Sequence, residues 1–306
     1  MLSIIIPSRS PWFLQKTCDD LIAKAEGEIE IIIVLDGIWP DPPIKDNPKI
    51  RIIHHGMQHD SFGMRESINR GMSLARGKYV MKIDEHCMMS QGYDVQLAAN
   101  CEEDWVVIPR RKRLDAENWC LTDEGRADID YNYITYPYLK WRDGSCGLHG
   151  AEWKRPERAD IMIDDTVTCQ GSFYYMHKDW WFDKIHPMNQ EVYGMFINEA
   201  QEITLQTWLA GGRVIVNKNV FYAHYHKGSH GKGYGFSNAQ YRLHQNERER
   251  GRKNCINYFM EDKYPKAIHS WAWLVDEKFP DMPGWGTDWK ERLIIDKARE
   301  NSDINI

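Results

Sequence analysis

What this sequence lacks narrows the field first. No apolar run approaches the ~20 residues a membrane-spanning helix requires. Met1 leads straight into Leu2-Ser3-Ile4-Ile5-Ile6-Pro7, a buried-strand pattern rather than a charged and then apolar secretory leader. Both features predict a cytoplasmic protein with no membrane span. The seven cysteines (Cys18, Cys87, Cys101, Cys120, Cys146, Cys169, Cys255) are odd in number and never form a CxxC pair. That pattern argues for reduced thiols and against a disulfide framework or a zinc knuckle. Excess positive charge is also missing: the net charge is -6, so the whole-protein field does not mark a nucleic-acid binder. There is no internal repeat and no low-complexity segment.

What remains is ordinary globular material, 42% hydrophobic and 27% charged, long enough at 306 residues for one large α/β domain or two small ones. Thirteen Trp and 15 Tyr offer stacking surfaces for sugars or bases, and core packing accounts for them equally well.

The first half alternates strands and helices. Strands are expected at Leu2–Pro7, Ile29–Leu35, Ile50–His54 and Tyr79–Ile83, with helices at Trp12–Ala25 and Phe62–Ala75. The continuous β-branched run at Ile29–Leu35 reads as a parallel strand covered on both faces. This rhythm predicts an α/β fold with a mostly parallel, doubly wound sheet and helices on both faces, binding ligands at the carboxyl ends of its strands. Those ends are polar: Ser8-Arg9, Asp36-Gly37 and Asp84-Glu85-His86. Residues 110–165 are rich in charge and aromatics without clear period and read as an insertion near the cleft. A strand at Thr166–Tyr175, a helix at Glu199–Leu209 and a strand at Val214–Val216 follow. Lys227–Gly235 carries four glycines with His230, Lys232 and Tyr234, the composition of a mobile loop that could close over a diphosphate. The catalytic domain is expected to span 1–265, with a helical, Trp-rich extension at 266–306.

The strongest chemical signal is the strand Tyr79–Ile83 leading into Asp84-Glu85-His86-Cys87. In an extended segment residues i and i+2 project to the same side, so Asp84 and His86 can share one divalent cation. Oxygen plus nitrogen ligation suits Mn²⁺ and tolerates Mg²⁺ or Zn²⁺. Taken alone, the motif reads better as a solvated acidic turn after a strand. Further downstream stand Cys169-Gln170-Gly171-Ser172-Phe173, Asn198-Glu199-Ala200-Gln201-Glu202-Ile203, then Trp208, Gly211-Gly212 and Tyr222-Ala223-His224-Tyr225-His226.

In that order and spacing the chain resembles the GT-A glycosyltransferases grouped with family 2, and among them the polypeptide N-acetylgalactosaminyltransferases. Gly71 precedes Asp84 by the family's spacing, and Asp84-Glu85-His86-Cys87 resembles its Asp-Ser-His-Cys. Gly171-Ser172-Phe173 and Glu199-Ala200-Gln201-Glu202-Ile203 resemble two further motifs, and His224 falls at the third metal ligand, with His226 as its competitor. The resemblance runs to about residue 265. It implies a metal-dependent transferase that uses a nucleotide-diphosphate sugar, with UDP-hexose the expected donor and Mn²⁺, or else Mg²⁺, the expected cofactor. Donor contacts are expected from Pro7, Ser8, Arg9, Asp36, Arg65, Asp84, Gly171 and Lys232, metal ligation from Asp84, His86 and His224, and a role at the sugar from Glu199. The family's acceptor-side Trp-Gly-Gly is here Phe196-Ile197-Asn198, and its lectin module and membrane anchor have no counterpart in this sequence, so the acceptor is not carried over.

Two residues bear on mechanism. Ala200 occupies the position where inverting family 2 enzymes usually hold an aspartate base, which favours retention of configuration. Glu199 can hydrogen-bond sugar hydroxyls or serve as a helix N-terminal carboxylate, a role worth ~0.3–1 kcal/mol. Acceptor classes consistent with the sequence are a glycan, a protein, a small molecule or a hydroxymethylated base in nucleic acid. For the last, Arg110–Arg113, Lys154-Arg155 and Arg248–Lys253 offer local positive patches. The rival readings are a non-catalytic GT-A module that holds a nucleotide sugar or glycan, and a nucleotidylyltransferase. The latter normally needs a glycine-rich, lysine-bearing signature that Ile6-Pro7-Ser8-Arg9-Ser10 does not provide.

Overall fold

A computed structural model of the chain describes residues 1–57, 61–122, 128–141, 144–226 and 238–303, with side chains except at 238–245 and 300–303. The expected closing loop at 227–235, with His230, Lys232 and Tyr234, lies outside the described residues.

Strands β1 (Leu2–Ser8), β2 (Ile29–Asp36), β3 (Ile50–His55) and β4 (Tyr79–Ile83) pair in parallel in the order β3-β2-β1-β4. Helix α1 (Leu14–Lys24) follows β1, and α2 (Met64–Ser73) precedes β4. The two helices cover opposite faces. Leu14, Cys18 and Leu21 of α1 pack with Ile4, Ile6, Ile31 and Ile33, whereas Ile68 and Met72 of α2 pack with Ile5 and Val80. Every residue of β2 is buried. That is why an unbroken apolar run is needed there: each Ile or Val so buried contributes ~1.5–3 kcal/mol.

Beyond β4 the sheet becomes mixed. After β5 (Cys87–Met89) and α3 (Tyr93–Ala98) come β6 (Trp105–Asp115), the two-residue β7 (Cys120–Leu121), β8 (Asn132–Ile134), β9 (Gly150–Glu152), β10 (Ile163–Asp165), β11 (Phe173–His177) and β12 (Arg213–His224). Strand β11 inserts antiparallel between β4 and β6, β12 runs parallel to β6, and β10 closes that edge antiparallel. The remaining helices are α4 (Lys178–Trp180), α5 (Gln190–Tyr193), α6 (Glu199–Leu209), α7 (Asn238–Met260), α8 (Trp271–Trp273) and α9 (Trp289–Asp303). No helix among the described residues is long and apolar enough to cross a membrane.

The sequence boundaries need two adjustments. Residues 110–115 are the second half of β6, and 163–165 are edge strand β10, so the irregular excursion lies between them. Charge hid β6 in the sequence. Yet Arg110 is paired to Asp130 at 2.7 Å and Lys112 to Asp128 at 2.7 Å, while Arg111 turns inward and is buried. The segment after 265 shares the main core: Trp271, Trp285 and Trp289 are buried in the cluster that holds Trp208 and Ile203 of α6. Trp285 also donates from its indole to the Ile134 carbonyl at 2.7 Å.

Candidate active site

The proposed metal ligands meet at the carboxyl edge of β4. His86 Nε2 and His224 Nε2 are 3.1 Å apart, and Asp84 Oδ2 lies 3.3 Å from His224 Nε2 and 3.8 Å from His86 Nε2. All three ligand atoms fall within 4.8 Å of one another. One carboxylate oxygen and two imidazole nitrogens form a donor set that fits a divalent first-row cation. Two ladders bring His224 there from far along the chain. A register shift between Asn217 and Phe221 lets the end of β12 pair with Arg110–Arg113 of β6, and the same end pairs with β5, placing His224 opposite Cys87. His226 does not join the cluster. Its Nε2 is held by Arg111, whose guanidinium also lies 3.3 Å from His224 Nδ1.

Electrostatics suit ligation. Burial lowers the His224 pKa, and Arg111 adds to the effect while Asp84 opposes it, so the ring is neutral near pH 7. Burial disfavours charge on Asp84, but the Lys82 ammonium and the neighbouring imidazoles outweigh it and hold the carboxyl well below the usual range.

Lys82 was not singled out in the sequence, and it organises the site. It is fully buried, on the same side of β4 as Val80 and Asp84. Its Nζ donates to Asp84 Oδ1 at 2.7 Å and to the Gly171 carbonyl, and stands 3.1 Å from Glu199 Oε1. Burial would favour the neutral amine, yet the two carboxylates dominate and keep it protonated. The signal was present: one lysine in an otherwise apolar strand must find partners. Burial raises the Glu199 carboxyl to about 7 even though Lys82 pulls it down. Gly171 lies close under this carboxylate: a Cβ there would stand 2.8 Å from Glu199 Oε2, so a larger residue would make the carboxylate shift.

The donor-side residues divide. Pro7, Ser8, Arg9 and Asp36 line a cleft of about 590 Å³ that is also lined by Asp84, Gly171 and Glu199. Asp36 is already engaged: Oδ1 accepts from the Phe62 amide at 2.8 Å and Oδ2 from Ser61 Oγ at 2.8 Å, which fastens the approach to α2. Arg9 donates to the Asp36 carbonyl at 2.8 Å. Ser8 donates to Glu85, which also accepts from the Ser10 amide at 3.1 Å and from Ser10 Oγ at 3.0 Å. Glu85, passed over as the middle of the motif, therefore ties the loop after β1 to the loop after β4. Arg65, expected at the donor, is placed behind the wall. It is fully buried, paired with Glu202 at 2.7 Å, and donates to the carbonyls of Gly194 at 2.7 Å and Ile197 at 2.6 Å. Glu202 is its buried counter-ion.

The cleft is also lined by His149 and Gly150 of the irregular excursion, by Phe196, Ile197 and Asn198, and by Glu247, Arg248 and Arg252 of α7. Asn198 holds φ 58°, the left-handed conformation, directly before Glu199. Asn is among the few residues other than Gly that enter this region readily, so it stands well where the resembling family has glycine. Arg155, one of the candidate cations for a phosphate backbone, is instead paired with Asp281 at 2.7 Å.

The sequence profile described as Glycosyl transferase family 2 matches residues 3–141, a span that contains Asp84 and His86. No curated protein matches the sequence. Among solved structures, GalNAc-T7 with UDP, GalNAc and Mn²⁺ superposes with a TM-score of 0.61 at 12% identity, covering 87% of this chain and 58% of that one. The 1–349 fragment of S. aureus TarS in complex with UDP-GlcNAc gives a TM-score of 0.47 at 15% identity, covering 74% of this chain and 58% of that one. This chain thus spans well under two thirds of the length of either. It has the GT-A glycosyltransferase fold, is family 2-like over its first half, and resembles the polypeptide N-acetylgalactosaminyltransferases.

Proposed function

We propose that this chain transfers a hexose from a UDP-sugar to an acceptor hydroxyl, with retention of configuration and with a divalent cation, Mn²⁺ in preference to Mg²⁺. The observation that carries this reading is the convergence of Asp84, His86 and His224 with the Lys82–Glu199 pair in one cleft. A cation held by the triad would supply positive charge where the diphosphate gains negative charge. Pro7, Ser8, Arg9 and Asp36 form the nucleoside end. Glu199, whose carboxylate lies against Gly171, would accept hydrogen bonds from sugar hydroxyls. Ala200 is buried and has no group to take a proton, which supports retention.

The test is a donor screen with Mn²⁺ over UDP-hexoses and UDP-N-acetylhexosamines, followed by NMR of the first-formed product. A product with the donor's anomeric configuration is expected. An inverted centre would overturn retention and require a base elsewhere. Binding without any donor turnover, hydrolytic or to acceptor, would favour the non-catalytic module.

A further inference from the structure

Aromatic residues of the irregular excursion that the transfer chemistry above leaves unused meet the C-terminal segment at a second pocket. Strands β8 and β9 pair antiparallel with Tyr133 opposite Ala151. The Trp153 amide continues this ladder, donating to the Tyr131 carbonyl at 2.8 Å. Side chains alternate along a strand, so Trp153 emerges on the same side of the ribbon as Ala151 and Tyr133. The Tyr133 and Trp153 rings meet edge to face, their centroids 6.1 Å apart at 70°. With Trp141 and Pro283 they line an open pocket of about 500 Å³, and Glu152 and Lys154 stand exposed beside them. That volume is in the range of small-molecule sites.

Trp153 is braced before any ligand arrives. The Arg155 guanidinium stands 4.1 Å from its ring centroid, and Arg155 is itself paired with Asp281 at 2.7 Å and with Glu157 at 3.1 Å. Phe279 meets the same indole edge to face at 6.5 Å. A ring so fixed loses little further freedom on binding. The pocket also adjoins the cleft along one strand. His149 and Gly150 line the cleft, whereas Ala151, Glu152 and Trp153 line the second pocket. At ~3.3 Å per residue, Gly150 and Trp153 are about 10 Å apart. Trp141 joins the two openings, stacked on His149 with centroids 5.3 Å apart at 19°.

Aromatic faces carry partial negative charge, and the C–H face of a pyranose is apolar and slightly positive, so the two stack. A carboxylate accepts hydrogen bonds from sugar hydroxyls and an ammonium donates to them. Glu152 and Lys154 offer both at the rim. A phosphate backbone is matched less well, because Arg155 already faces Asp281 and Glu157, and the Glu152 carboxylate repels a second anion. We propose that this pocket is a glycan subsite, and that the acceptor is an oligosaccharide. Its inner sugar packs on Trp153 and Trp141 while its terminal hydroxyl reaches the cleft past His149. The acceptor role rests on the glycosyltransfer reading above, whereas glycan binding by the pocket does not.

The test titrates the full chain, without donor, with maltotriose, cellotriose, mannotriose and triacetylchitotriose by ligand-observed NMR, each against its own monosaccharide. At least one trisaccharide is expected to bind at least tenfold tighter than its monosaccharide. For that sugar, Trp141→Ala and Trp153→Ala should each bring the preference within threefold. Glu152→Gln, at an exposed position away from the core, should weaken trisaccharide binding at least threefold. Far-ultraviolet circular dichroism should match wild type in every variant, with UDP affinity in Mn²⁺ within twofold, which separates this pocket from the donor site. Absence of any trisaccharide preference would overturn the subsite, as would a preference that survives all three substitutions. Binding of a single-stranded oligodeoxynucleotide that is lost in Trp153→Ala, with no trisaccharide binding, would overturn it in favour of nucleic acid. With UDP-sugar and Mn²⁺ added, the bound trisaccharide should be glycosylated. If a different acceptor is turned over while the trisaccharide binds untouched, the acceptor role falls. If the trisaccharide binds but no UDP-sugar is bound or consumed, the pocket stands and the functional reading itself falls.

Discussion

Lys82 and Glu199 meet across 117 residues of sequence, ammonium to carboxylate at 3.1 Å, inside the wall of the cleft. The same ammonium holds Asp84 at 2.7 Å. The carboxylate of the proposed metal triad and the carboxylate proposed to meet the sugar are thus indexed to each other through one buried cation.

Lys82→Met should destabilise the protein and impair the site together. Removing one member of a buried ion pair costs about 3–5 kcal/mol because the partner is left uncompensated. Urea unfolding should show a loss of that order. Wild-type stability would mean that Asp84 and Glu199 tolerate each other without the lysine.

Stability of the metal-free protein should carry a pH signature from Glu199. Its folded carboxyl stands at about 7, above the ordinary value of 4.5. A raised carboxyl binds its proton more tightly in the folded state, so its contribution is complete below about 4.5 and is lost as pH rises through about 7. Glu199→Gln should flatten that slope in denaturant titrations at a series of pH values. An unchanged difference between wild type and variant from pH 4.5 to 7.5 would count against the shift.

Asp84→Asn should weaken Mn²⁺-dependent UDP binding at least tenfold while leaving the far-ultraviolet circular dichroism intact. The amide keeps the shape of the side chain but loses the charge that draws a divalent ion. Calorimetry with and without Mn²⁺ decides it: the metal-dependent increment should vanish. If the increment persists, the triad is not the metal site.

Gly171→Ala should separate binding from turnover. The new methyl would stand 2.8 Å from Glu199 Oε2, so the carboxylate must move. Displacement of a positioned group by about 1 Å can cost on the order of 100-fold in rate. Donor turnover should fall by at least tenfold with UDP affinity within about threefold. Equal loss of both would point to a general collapse of the β4–β11 edge.

Much of the site was legible because its parts sit at ends of elements with strong local signals. Asp84 and His86 follow a short apolar strand, and Glu199 opens a helix whose start and Gly211-Gly212 stop are written locally. Arg65 was misplaced for the converse reason. A charged residue on a helix beside a ligand site looks the same in sequence whether it faces the ligand or a buried glutamate such as Glu202. The strand character of Arg110–Arg113 was hidden likewise, since partners distant in sequence, among them Asp128, Asp130, His224 and His226, make such charges acceptable in a sheet.

The sequence by itself determined the alternating α/β pattern, the parallel run of β1 to β4 and the polar strand ends, because hydrophobic period and turn residues act over a few neighbours. Only the tertiary structure decided that His224 and not His226 stands with Asp84 and His86, that Lys82 links Asp84 to Glu199, and that α7 brings Arg248 and Arg252 to the cleft. Each of these depends on a ladder register or a close backbone contact between segments tens to more than a hundred residues apart. A shift of one residue along such a ladder turns a side chain to the opposite face, and no local pattern records which register the packed core selects.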